Sequence, residues 1–343
     1  MIDRTAQIDQ FLSGTDWAAA DHSNLAGDAS NRRYLRLYRS GQAPQTAVLM
    51  DAPADKGEDV RPFVYIAEHL THLGLSAPKI YAQDSVAGLL LLEDLGDDLF
   101  ARVLEKNQGM ENSLYSSAID VLAHLHRFKV PNTLARYDAD TAAELSALVF
   151  DWYSPKAANS TMSRGRSDFV SLMRATLDTH APEQDVLIQR DYHSENLLWL
   201  PNRDGLARVG LLDFQDAMAG HRAYDLVSLL QDARRDVAPE VEEAMIRKYC
   251  DLTDQNPEEF RKSYATLGVQ RNLRILGVFA RLCIRDGKAH YIDFIPRVWS
   301  LLLRDLTHPA LADLQDLLIQ FLPHPSPKAL ESLKSKCATH RAQ

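Results

Sequence analysis

At 343 residues, with 45% hydrophobic and 25% charged side chains, the chain has an ordinary globular composition and enough length for two lobes with full cores. A formal net charge of −9 argues against a nucleic-acid or acidic-membrane partner, because phosphate backbones need a basic footprint. Cys250, Cys283 and Cys337 lie far apart with no CxxC or Cys/His spacing, which argues against zinc and a disulfide framework; with no signal-peptide core and no run of bilayer length, a soluble cytoplasmic protein is expected.

Taken in order, the first predicted element is a helix over residues 5 to 12, with Ile8, Phe11 and Leu12 at helical spacing and Ser13-Gly14 ending it. A turn-rich patch at 25 to 31 leads into alternation over 33 to 38, a strand, and 46 to 50 reads as the next. Residues 60 to 73 form a helix burying Phe63, Ile66, Ala67, Leu70 and Leu73, and 88 to 92 a buried strand before Glu93-Asp94-Leu95-Gly96. The rest is mostly helical, beginning with 114 to 125 and 142 to 153. The second of these ends in Asp151-Trp152-Tyr153, which with Glu144 forms a candidate acceptor pocket; taken alone, Trp152 reads first as core packing. Residues 154 to 167, small, polar and basic, predict a mobile loop.

Between Val186 and Asp216 the pattern changes to strand, polar loop, strand, Pro/Gly turn, strand and acid. Asp191, Asn196 and Asp213 stand out, and hairpin geometry is expected to bring all three to one edge. Any one of them alone reads as a turn former or cap. Together they suit phosphoryl transfer, whose loose transition state asks a protein mainly for placement and charge compensation. Asp191 fits the base that takes the acceptor proton, and Asn196 and Asp213 fit the oxygen ligands of Mg²⁺. His193 reads as packing or loop bonding. Arg222-Ala223-Tyr224-Asp225 opens the next helix, where Asp225 either caps it or braces the catalytic loop.

Further helices are predicted over 240 to 250, 258 to 285, 291 to 303 and 310 to 321, with a frayed tail from Pro323. In the longest, Arg271, Arg274, Arg281 and Arg285 fall within about 80° of one another. That stripe is either a solvated basic face or a site for an acidic substrate.

The stretch Gln189-Arg190-Asp191-Tyr192-His193-Ser194-Glu195-Asn196 resembles the H-R-D-x-x-x-x-N loop of kinases, with Gln in place of His, and Asp213-Phe214-Gln215 resembles D-F-G. The resemblance implies an α+β, two-lobed protein-kinase-like fold: a small β-rich lobe over residues 1–93 and a larger, mainly helical lobe over 94–343. The loop holding Gly27, Ser30 and Asn31 would then cover the ATP phosphates, and the backbone at Glu93 and Leu95 would read the adenine edge. Kinases carry a phosphate-binding Lys on the third strand, but Met50 stands there; Arg33, Arg36 or Lys56 is the expected substitute cation, and Glu68 reads first as a solvated acid and second as that cation's partner.

More narrowly, the chain resembles the aminoglycoside phosphotransferase/choline kinase family, and within it bacterial anomeric kinases of N-acetylmuramate and N-acetylglucosamine. The match rests on Gly27-Asp28-Ala29-Ser30 through Arg33-Tyr34, on Leu92-Glu93-Asp94-Leu95-Gly96, on the catalytic stretch with Leu212-Asp213-Phe214-Gln215-Asp216-Ala217, and on Gln270-Arg271 with 276 to 282. It implies transfer of the ATP γ-phosphoryl group to the anomeric hydroxyl of an amino sugar in cell-wall recycling, with Mg²⁺ as cofactor. In that reading a cation of the 271 to 285 helix, with Arg271 and Arg274 as the substrate-site candidates, would meet the lactyl carboxylate of N-acetylmuramate. Two other readings stay open: a kinase of aminoglycosides or another small alcohol, and a non-catalytic nucleotide-binding protein. Oligomeric state is not legible.

Overall fold

The computed structural model describes residues 3–25, 31–40, 45–154 and 160–339. Helix α1 (Arg4–Ser13) precedes strands β1 (Asp21–Leu25), β2 (Arg33–Arg39) and β3 (Gln45–Asp51). Helix α2 (Arg61–His72) and strands β4 (Ile80–Asp84) and β5 (Leu89–Glu93) follow, then α3 (Phe100–Lys106), α4 (Glu111–Leu125), α5 (Ala139–Ser146) and α6 (Ser160–His180). Four three-residue strands come next, β6 (Val186–Ile188), β7 (Leu197–Trp199), β8 (Val209–Leu211) and β9 (Met218–Gly220). The chain ends in α7 (Ala223–Leu230), α8 (Pro239–Thr253), α9 (Pro257–Ile284), α10 (Ile295–Leu306), α11 (Ala312–Phe321) and α12 (Pro327–Lys334). No described helix is long and apolar enough to cross a membrane.

The chain forms two compact units, Met1–Val121 with Ser194–Ala217, and Leu122–His193 with Met218–Gln343. The lobe boundary after Glu93 remains a proposal about nucleotide binding; compactness divides the chain elsewhere, inside α4 and again on either side of the β7–β8 hairpin.

The first unit is built on an antiparallel sheet in the order β1-β2-β3-β5-β4. Cross-strand partners share a face, so the register separates its residues cleanly. Leu35 pairs with Leu49 and Leu37 with Ala47, and this face, with Leu89 and Leu91, buries Ile8 and Leu12 of α1 and Trp17. Each fully buried aliphatic of this kind contributes about 1.5–3 kcal/mol. Tyr34, Arg36, Val48, Met50, Leu90 and Leu92 share the opposite face.

The hairpin β7–β8 belongs to this unit through backbone hydrogen bonds. Leu211 N donates to Ser76 O at 2.9 Å, Trp199 N to Asp98 O at 2.7 Å and Ala101 N to Ser194 O at 3.1 Å. Arg203 adds side-chain bonds from Nη1 to Ser76 Oγ and from Nη2 to Glu93 Oε1, both at 2.7 Å.

The second unit is organised around α9. Asn256 caps it, accepting from Glu258 N and Glu259 N, and Pro257 occupies the first turn. The helix is buried without a break from Ser263 to Leu273. At Gly277 an added Cβ would lie 2.4 Å from Leu148 C, so only glycine admits the chain that crosses there. That crossing corrects the helix expected over 142 to 153. α5 stops at Ser146, whose Oγ donates back to Ala143 O at 2.8 Å, and a π-helical turn, Val149–Tyr153, follows.

Two further expectations change. Residues 155–159 lie outside the described ones, but α6 begins at Ser160, so the segment to 167 is helical rather than loop. The tail beyond Pro323 carries α12, where Ser326 Oγ accepts from Ala329 N, Pro327 opens the helix and Leu333 is buried. A cap followed by proline is a helix start that outweighs a lysine-containing composition.

Candidate active site

The β7–β8 ladder pairs Leu197 with Leu211 and Trp199 with Val209, and Leu212 N donates to Asn196 O at 3.0 Å. The hairpin therefore closes on the two expected metal ligands. Asn196 Nδ2 lies 3.4 Å from Asp213 Oδ2, while Gln215 Nε2 donates to Asp213 Oδ1 at 2.7 Å. Asp213 has φ +57, a left-handed conformation that a short polar side chain tolerates. Phe214 beside it is fully buried, its ring 4.9 Å from that of Phe63 on α2. Turning the Asn196 amide over would set its oxygen beside the Asp213 carboxylate, giving the pair of hard donors that Mg²⁺ favours. The residues fit the ion.

Of the expected nucleotide-binding residues, Gly27 and Ser30 lie outside the described residues. Asn31 is anchored on the 56–58 turn, its N donating to Glu58 Oε1 at 3.1 Å and Nδ2 to Lys56 O at 3.2 Å. Arg33 pairs with buried Asp51, which Arg4 also holds, and so lies on the α1 face of the sheet, opposite Met50. Arg36 shares the Met50 face, but Asp94 and Asp97 engage it, each at 2.8 Å, and the hydrogen bond it donates to Asp97 leads the causes that raise its pKa. It braces the turn at Gly96, where φ is +86. Neither arginine is therefore a spare cation. Lys56 is exposed and has no acidic partner among the described residues, as is also true of Glu68 on the cationic side. Glu93 is tied to Arg203, and Leu95 lines the approach to Gly210.

Asp191 belongs to the second unit. It follows β6, which pairs with β9, so the strand before Asp191 is no part of the β7–β8 hairpin that carries Asn196 and Asp213. The loop is held from within. Asp225, fully buried at the start of α7, accepts from Gln189 N at 2.6 Å and from Arg190 N at 2.9 Å. Burial pushes its pKa up to about 7, against those two hydrogen bonds and nearby Arg271. Of the two readings of Asp225, bracing is the one observed. Arg190, just before the candidate base, has φ +74, and its carbonyl faces Ser228 Oγ at 3.4 Å. Gln189 is buried and braces through its backbone alone; its Nε2 has no acceptor among the described residues. His193 is buried, and burial lowers its pKa, in keeping with packing.

Arg271 and Arg274 reach the same neighbourhood from α9. Arg271 Nη2 donates to Ser228 Oγ at 2.8 Å, and Arg274 Nη1 to Tyr224 Oη at 3.0 Å. Tyr224 meets Tyr137, hydroxyls 3.5 Å and ring centroids 4.9 Å apart, and the Arg190 guanidinium carbon sits 6.0 Å from the Tyr137 ring. Gln270 Nε2 donates to Tyr137 Oη at 3.0 Å. Burial and then Tyr224 raise the Tyr137 pKa, so its hydroxyl stays protonated. Tyr137 and Ser228 had no signal in the sequence. Glu144 and Asp151 instead clamp Arg166, at 2.9 and 3.0 Å. Tyr153 is core: its ring packs against Trp299 and its hydroxyl donates to Pro323 O at 2.8 Å, while Trp152 beside it is half-buried. No described bond joins Glu144, Trp152 or Tyr153 to the Asp191 loop.

Residues 21–262 match the model of the phosphotransferase enzyme family called APH. Two similar curated proteins are both N-acetylmuramate/N-acetylglucosamine kinases. That of Caulobacter vibrioides is 39% identical, covering 94% of this chain and 97% of its own. That of Pseudomonas aeruginosa is 34% identical, covering 91% and 92%. Among solved structures, a choline kinase from Streptococcus pneumoniae superposes with a TM-score of 0.59 at 15% identity, over 88% of this chain and 99% of its own, a likeness of fold. The kinase-like α+β architecture is thus shared.

Proposed function

The chain belongs to the phosphotransferase enzyme family, and we propose that within it the protein is an ATP-dependent kinase of N-acetylated amino sugars, acting on the anomeric hydroxyl of N-acetylmuramate and N-acetylglucosamine. The observation that carries the acceptor is the shared name of relatives that align along nearly the whole chain. Fold alone would leave the acceptor open.

The chemistry assigned to this chain is modest in number of parts. Asp191 accepts the proton of the acceptor hydroxyl as its oxygen bonds to the γ-phosphorus and the bond to the β–γ bridging oxygen breaks, releasing ADP. An anomeric hydroxyl is more acidic than an ordinary alcohol, which suits a carboxylate base. Asn196 and Asp213 would hold Mg²⁺, which would neutralise charge on the phosphate oxygens. Asp225 fixes the backbone that aims Asp191. The segment 27–31, Asn31, Lys56 and the backbone at Glu93 and Leu95 are assigned to the nucleotide. The cytoplasm, where ATP is abundant, is the assigned compartment.

The test is ADP release from Mg-ATP with N-acetylmuramate, N-acetylglucosamine, glucosamine and kanamycin as separate acceptors, with Asp191→Asn alongside. Turnover of the two N-acetylated sugars, lost in the variant, is expected. Turnover of kanamycin alone would replace this reading with an antibiotic kinase.

A further inference from the structure

The arginines of this acidic chain are mostly matched to acids, as in Arg36 with Asp94 and Asp97, Arg166 with Glu144 and Asp151, and Arg304 with Glu242. Those on one face of α9 differ. Arg274 and Arg281 stand seven residues apart, two turns along the helix and on the same side. The one described hydrogen bond of the Arg274 guanidinium goes to the neutral hydroxyl of Tyr224. Arg281 is half-buried, and its Nε is enclosed with no acceptor among the described residues. Its nearest acid, Asp286, is already engaged by Arg285 at 2.6 Å. Burial first, then Arg285, depresses the Arg281 pKa, and Arg274 depresses it further, so the two cations feel each other. Behind them Arg271, 4% exposed, spends one nitrogen on Ser228 and leaves Nη1 enclosed without an acceptor.

The acids near these cations, Asp225 by Arg271, Asp191 by Arg274 and Asp286 by Arg281, form no ion pair with them among the described residues, and enclosed guanidinium nitrogens without an acceptor cost stability unless an anion joins them. A guanidinium fork is matched in shape to a carboxylate. The cluster is tied to the residue before the proposed base by two routes: Arg274 through Tyr224 and Tyr137, on which Arg190 lies, and Arg271 through Ser228 to the Arg190 carbonyl. It therefore borders the place where an acceptor must lie.

We propose that Arg274 and Arg281 form the subsite for a carboxylate on the acceptor sugar, with Arg271 as a positioning residue that holds the Arg190 carbonyl. The inference rests on the sugar-kinase reading above and deepens it. N-acetylmuramate carries a lactyl carboxylate that N-acetylglucosamine lacks, so the two sugars report on the subsite separately. A hydroxyl-only acceptor gains nothing from a fork, whereas a carboxylate left without one loses a charge-assisted pair.

The experiment is steady-state ADP release by the full chain with each sugar, for wild type, Arg274→Gln, Arg274→Lys and Arg281→Gln. Expected is a rise of at least tenfold in KM for N-acetylmuramate in both glutamine variants, with the ratio of kcat/KM for N-acetylmuramate over N-acetylglucosamine falling at least tenfold. Arg274→Lys restores part of that ratio, because it keeps the charge and loses the fork. Arg281, half-exposed, serves as the variant least able to disturb folding. A ratio within twofold of wild type in both glutamine variants, or an equal loss on both sugars, overturns the subsite and leaves the kinase reading standing. Wild-type enzyme that turns over neither sugar overturns the kinase reading itself.

Discussion

The hairpin that carries Asn196 and Asp213 and the loop that carries Asp191 are neighbours in sequence, yet they are held in opposite ways. The hairpin is fixed by an ordinary ladder and by backbone bonds to Ser76 and Asp98, with Arg203 as a partly exposed tie to Glu93. The Asp191 loop lies beyond the end of β6 at Ile188, and a buried carboxylate, Asp225, takes up two of its backbone N–H groups. A ladder distributes its stabilisation over many small contributions, so losing one contact changes little. A buried acid concentrates it in one group whose ionisation is costly. The proposed metal ligands therefore tolerate neighbouring change, while the loop of the proposed base carries a sensitivity to pH.

The largest expected effect separates chemistry from support. Asp191→Asn should lower kcat by about 10²–10⁴-fold with an unchanged melting temperature; full activity in this variant would remove the base assignment. Asp213→Ala should abolish activity that saturates with Mg²⁺ while leaving the sheet folded, and a Mg²⁺ titration of ADP release reads this directly. Next is Asp225→Asn. An amide cannot accept from both N–H groups as the carboxylate does, so the loop shifts and kcat falls by up to about 10²-fold.

The same variant has a pH signature. Because the folded pKa of Asp225 is raised to about 7 from 3.8, the folded state holds this proton more tightly than the unfolded state. The associated stability is present below pH 4 and is lost as pH rises through about 7. Asp225→Asn lacks that step, so the melting-temperature gap between wild type and variant should be wider at pH 5 than at pH 8; a gap independent of pH would contradict the buried-acid account. Arg203→Ala should cost about 1–2 kcal/mol in urea unfolding, reduced from a buried ionic bond because both partners keep some solvent contact. The smallest effect is Arg285→Ala. Its pair with Asp286 sits at the surface and should contribute about 0.5 kcal/mol or less.

Much of the first unit was legible because its pattern is local. Leu35 and Leu37 alternate with Tyr34 and Arg36, and period-two alternation specifies both the strand and its faces. The cap-and-proline start of α12 is equally local, and it prevails over the lysines around it. The π-helical turn at Val149–Tyr153 was not legible, since it depends on Gly277, more than a hundred residues away. The same holds for Arg33 and Arg36, read as candidate phosphate cations. Their acids, Asp51, Asp94 and Asp97, are near only once β2 has paired with β3 and the turn after β5 has formed.

What the sequence determined by itself is the chemical inventory: a carboxylate, an amide and a second carboxylate at kinase-like spacing, and a helix with four arginines on one side. These follow from residue identity and short-range periodicity, which act over a few residues. Only the tertiary structure decided which of those groups are occupied. Asp225 became a brace, Tyr153 became core, Arg36 became a turn clamp, and Arg274 and Arg281 were left on one side of α9 with no ion pair among the described residues. A charge is neutralised by whatever lies within a few ångströms, and that neighbour is chosen by packing between elements far apart in the chain.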